Sequence, residues 1–96
     1  MKEAVIRKKA IEILSDGGWV CWYPAKVKYH ETDIFGVYDL ICGSGSTIRL
    51  IQLTTLSNVS ARRRKIKAFT DKHKLNLPSE IWGYNKKKRI FKIEKL

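Results

Sequence analysis

The chain has 96 residues, 44% of them hydrophobic, and carries 20 Lys plus Arg against 9 Asp plus Glu for a formal charge of +11. That length gives one domain whose single modest core buries roughly 60–65% of the unfolded surface, and that composition excludes a disordered basic tail. No apolar run reaches a membrane span and the N-terminus lacks a signal-peptide pattern, so a soluble cytoplasmic protein is expected, with nucleic acid as partner and no membrane.

In chain order, residues 2–15 place Ile6, Ala10, Ile13 and Leu14 on one stripe with Arg7, Lys8 and Lys9 toward the other side, and predict an amphipathic helix. Asp16-Gly17-Gly18 ends it, since glycine readily takes the left-handed backbone that closes a helix. Residues 19–23 are rich in aromatic and β-branched types and predict a strand stopped by Pro24. Residues 25–32 are polar and basic, with Lys26, Lys28 and His30, and read as a ragged strand or loop.

Residues 33–55 are the stretch around which the rest is arranged. Two core strands, 37–42 and 48–55, are joined by a turn through Gly43-Ser44-Gly45 and are apolar on both faces, as strands covered by helices are. Ser57 or Asn58 then caps a second helix running to about Lys74, with Val59, Ile66, Phe69 and His73 as its apolar stripe. Leu77-Pro78-Ser79 breaks the chain, and strands over 80–84 and 89–96 meet at Asn85-Lys86-Lys87. The expected order is α-β-β-β-α-β-β in an α/β fold. Cys21 and Cys42 have no metal-type spacing and read as small buried thiols without a disulfide framework; His30 and His73 have no zinc spacing.

The chemistry-bearing residues are the polar ones inside apolar strands. Asp39 lies on the second predicted strand, Gln52 and Thr54 sit two apart on one face of the third, and a hairpin brings all three together. Burying an unpaired charge is costly, which favours a functional Asp39 over a surface acid paired with a lysine. Gln52 and Thr54 read equally well as a polar stripe that hydrogen-bonds neighbouring backbone. Asp33 is either a second ligand or a cap for the Ile34-Phe35-Gly36 turn.

This element order, with an acid on one strand and a polar pair on the next, resembles the PD-(D/E)xK nuclease superfamily, in particular small archaeal-type Holliday junction resolvases and related phage and microbial proteins. The resemblance covers about residues 4–74. It implies a restriction-endonuclease-like domain with a central mixed sheet flanked by helices, and Mg²⁺ or Mn²⁺ held by Asp39, Gln52 and the Leu53 carbonyl. The family's glutamate stands here as Gln52, which offers a hard oxygen without charge, and its lysine stands as Thr54, which supplies no cation. Lys28, Lys26 or Lys65 would have to replace that lysine. The family's first-helix glutamate falls near Ile6, with Glu3 one turn away as its substitute.

The run Ser60-Ala61-Arg62-Arg63-Arg64-Lys65 follows Ser57 and Asn58, so cations, hydroxyls and amides meet at a helix start, which suits phosphate. A charge run is more often a solvated helix face, but cations near a helix N-terminus oppose the macrodipole and favour an external anion. Two function classes follow: a metal-dependent endonuclease acting on DNA, branched DNA included, as a possible homodimer, or a nuclease-fold module that binds DNA or RNA without cleaving it. A toxin-like or ribosome-associated RNA-binding protein is a weaker third, with no paired RNP aromatics to support it.

Overall fold

In a computed structural model, residues 3–24 and 33–96 are described, Glu3 by its backbone alone. The elements are α1 (Glu3–Asp16), β1 (Val20–Trp22), β2 (Leu40–Ser44), β3 (Thr47–Thr55), a short 3₁₀ turn (Leu56–Asn58), α2 (Val59–His73), β4 (Ser79–Asn85) and β5 (Ile90–Lys95). The order matches the sequence expectation. The expected ragged strand or loop over 25–32, with Lys26, Lys28 and His30, lies outside the described residues.

One five-stranded sheet runs β1-β2-β3-β4-β5 and is mixed. β3 pairs with β4 in parallel while every other pair is antiparallel. A parallel pair needs a crossover, and α2 provides it. The helices cover opposite faces. Ile6, Ala10 and Leu14 of α1 pack on Leu40, Cys42, Ile51 and Leu53, while Ile66 of α2 packs with Leu50, Ile81, Val37 and Tyr38. β3 is therefore buried without interruption from Leu50 to Thr54, as a strand covered on both sides should be.

Boundaries moved where local geometry overrode pattern. Ile13 leaves the expected stripe and is half-exposed, so α1 buries only every fourth residue. The strand expected from residue 37 starts at Leu40, because residues 34–38 close on themselves. Ile34 and Tyr38 exchange backbone hydrogen bonds around Phe35 and Gly36, both at positive φ. The hairpin turn sits at Gly45-Ser46, with Gly45 at φ 58, leaving Gly43 and Ser44 in β2.

Gly83 sets how closely the start of α2 approaches the sheet. A Cβ there would lie 2.7 Å from Val59 Cγ2 and 3.2 Å from Leu56 Cδ2, so only glycine lets this segment settle over β4 opposite Thr54. At the far end of the strands, Arg49 of β3 grips Glu80 of β4 through two hydrogen bonds of 2.6 and 2.5 Å. Its guanidinium lies over the Trp19 and Trp82 rings, and the Trp82 indole donates to the same carboxylate. Burial works to raise the Glu80 pKa, but Arg49 and Trp82 together outweigh it and hold the carboxyl below its ordinary range. Cys21 and Cys42 face each other across β1 and β2 with sulfurs 3.3 Å apart, and both are free thiols. Burial, with the Cys21 thiol next, pushes Cys42 up to about 12.

Candidate nucleic-acid and metal site

Peptide groups point alternately to the two sides of a strand. In β3, Leu50 donates to Pro78 on the β4 side and Ile51 accepts from Asp39 on the β2 side, so the peptide groups of Leu53 face β2 again. There β2 has run out, because the chain before Leu40 turns away into the 34–38 loop. The N–H and C=O of Leu53 are buried and need partners. Side chains supply them. The Leu53 N–H donates to Asp39 Oδ2 at 2.8 Å, and Gln52 Nε2 donates to the Leu53 carbonyl at 3.0 Å.

The same Gln52 nitrogen also donates to Asp39 Oδ2 at 2.8 Å, closing a small network of buried groups. Asp39 is 9% exposed and Gln52 3%. Asp39 stands in the bend just before β2, its own N–H donating to the Ile51 carbonyl at 2.8 Å, while Gln52 shares with Leu50 the face of β3 covered by α2. The direction of the amide follows from chemistry. With nitrogen and oxygen exchanged, three acceptor oxygens would confront one another and the carboxylate would lose a donor.

This network forms one wall of a cavity of about 230 Å³. Asp33, Thr54 and Thr55 line it from the strand and loop side, Ile6 from α1, Asn58 from the 3₁₀ turn that leads into α2, and Arg62 and Lys65 from α2. The last three are spaced i, i+4 and i+7, one stripe of a helix, and that spacing aims two cations into the same space as two carboxylates. Lys65 is exposed and Arg62 partly so. Among the described residues, Arg62 and Lys65 are thus the cations that stand with Asp39, where Thr54 brings only a hydroxyl.

The remaining expected residues are placed as follows. Arg63 turns away from the cavity and binds Glu94 of β5 in a bidentate pair at 2.6 and 2.7 Å, so its charge is already engaged. Arg64 is exposed on α2 and does not line the cavity. Asn58 occupies the N-cap position of α2, but neither it nor Ser57 caps the helix with its side chain. Both side chains instead contact the Thr55 hydroxyl at 3.2 Å. Asp33 accepts the Gly36 N–H through its carbonyl, so its backbone closes the turn while the residue lines the cavity. Glu3 is the first residue of α1, one turn before the cavity-lining Ile6. Lys28 lies outside the described residues.

Asp39, the Leu53 carbonyl and Asp33 are hard oxygen donors in one cavity, the donor type that Mg²⁺ and Mn²⁺ take. Among the described residues no group of three or more His, Cys, Asp and Glu side chains is placed to hold a metal ion, so a cation would depend on a backbone carbonyl and on Gln52 as well. The set fits a weakly held hard cation on one condition, that the Gln52 nitrogen yields the point on which Asp39 and Leu53 converge. Neither family models, nor curated proteins, nor solved structures give a significant match to this chain.

Proposed function

We propose that the chain is a DNA-binding protein of the PD-(D/E)xK nuclease type, with a restriction-endonuclease-like domain acting as a divalent-metal-dependent endonuclease on phosphodiester bonds, branched DNA included. The observation that carries this reading is the meeting of Asp39, Gln52 and the Leu53 carbonyl in one cavity with Arg62 and Lys65. Asp39, Asp33 and the Leu53 carbonyl would hold Mg²⁺ or Mn²⁺. Such an ion, when bound, lowers the pKa of water and offsets charge on phosphate. Arg62 and Asn58 bind phosphate oxygens and fix the register of the backbone. Lys65 provides, from α2, the cation that Thr54 cannot provide from β3. The protein works in the cytoplasm, as two copies on one branched substrate, and light scattering of the DNA complex at the mass of one chain would count against the dimer.

Binding without cleavage is the second reading, favoured by the Gln52 amide, which bonds both Asp39 and the Leu53 carbonyl. Nicking of supercoiled and four-way-junction DNA in Mg²⁺ and in Mn²⁺ separates the two. Wild type is expected to cleave slowly, faster in Mn²⁺, and Asp39→Asn to bind DNA as well or better without cutting. Equal activity in both proteins would remove Asp39 from the chemistry. Activity in neither would leave the binding module.

A further inference from the structure

We infer that the Gln52 carboxamide is a reversible stand-in for the cation, holding the metal site together when no metal is bound and becoming a ligand by turning over. The inference rests on the metal reading above and adds how the site is regulated. In a site with a glutamate at this position, carboxylates and a carbonyl converge and need a cation to hold them. Here the partial positive charge of one amide nitrogen contributes to that, bonded to Asp39 Oδ2 at 2.8 Å and to the Leu53 carbonyl at 3.0 Å. Neighbouring oxygens around an octahedral Mg²⁺ stand about 2.9 Å apart, a bond of roughly 2.1 Å times √2. The two separations from the amide nitrogen match that spacing. Half a turn about the last side-chain bond exchanges Nε2 for Oε1 at nearly the same point, so hydrogen-bonding distances become ligand–ligand distances with little movement of the strands. The shape of the site is thus kept in both states.

Two consequences distinguish this role from that of a passive hydrogen bond. Metal must compete with the amide's own bonds, so affinity is low, and the fold near Asp39 does not depend on metal. Melting temperatures at pH 8, in chelator and in Mg²⁺, are measured for wild type, Gln52→Glu and Gln52→Met, together with Mn²⁺ binding by water-proton relaxation. Wild type is expected to melt at the same temperature in both solutions. Gln52→Glu should melt several degrees lower in chelator, about 5 °C or more, recover in Mg²⁺, and bind Mn²⁺ at least about tenfold more tightly than wild type. Gln52→Met, of similar length but with neither donor nor ligand oxygen, should melt lower in both solutions without recovery. Mn²⁺ bound tightly to Gln52→Glu alongside unchanged melting of both variants in chelator would overturn the inference while leaving the metal reading intact. Mn²⁺ bound by neither wild type nor Gln52→Glu would overturn both.

Discussion

A carboxylate buried at the end of a strand needs donors, and Asp39 takes them from the backbone of Leu53 and the side chain of Gln52. Sequence alone brought Asp39 and Gln52 together, because hairpin register and strand alternation are written in the spacing of apolar residues. It did not reveal that the amide points its nitrogen inward, since that depends on where β2 stops and which Leu53 groups are left over. Nor did it reveal the Arg49–Glu80 pair, although an arginine inside an apolar strand was a visible signal. That pair has a pH signature. The folded-state pKa of Glu80 lies below its ordinary value of 4.5, so the stabilisation is complete above that pH and is lost as pH falls through the folded pKa. Glu80→Gln should cost about 2–3 kcal/mol near neutrality by leaving Arg49 short of its counter-charge, and should flatten the acid limb of a melting-temperature profile. An unchanged profile would mean that the pair contributes nothing measurable.

The elements followed from periodicity, glycine and proline, while their ends followed from tertiary geometry. Residues 37–39 have strand composition, yet the tight 34–38 loop takes their backbone and leaves Asp39 at the point where β2 begins. That displacement is what exposes Leu53 to side-chain partners. The stripe of α2 was legible, but not the fact that Asn58, Arg62 and Lys65 overlook the site while Arg63 is held by Glu94. Adjacent residues on a helix point about 100° apart, and only docking decides which of them meets the cavity. Gly83 controls that docking. Gly83→Ala should destabilise the protein by about 1–3 kcal/mol, because β-branched Val59 has little freedom to retreat. Urea unfolding measures this, and a neutral substitution would show that the start of α2 can lift without cost.

For the molecule as a whole, charge predicts affinity and its dependence on salt, and the site predicts which charges matter. A formal charge of +11 favours any polyanion, so specificity must come from the cavity. The observed order of elements agrees with the sequence reading, and among the described residues no helix is long and apolar enough to cross a membrane. DNA binding should weaken steeply with salt, and Arg62→Ala with Lys65→Ala should reduce the log–log slope by about 1–2, since each phosphate contact contributes about 0.9. Arg63→Ala should change it little, because Arg63 is already paired with Glu94. Fluorescence anisotropy titrations at several salt concentrations give these slopes, and equal losses per arginine or lysine removed in both variants would make α2 a diffuse basic face.

The claim on which the rest depends is that Asp39 anchors a divalent cation beside Leu53 and Gln52. Paramagnetic broadening of backbone amide resonances by Mn²⁺ locates the ion directly. The expected result is selective broadening at residues 39 and 52–54 and in the first turns of α2, lost in Asp39→Asn. Broadening elsewhere, or the same pattern in Asp39→Asn, would contradict the metal site.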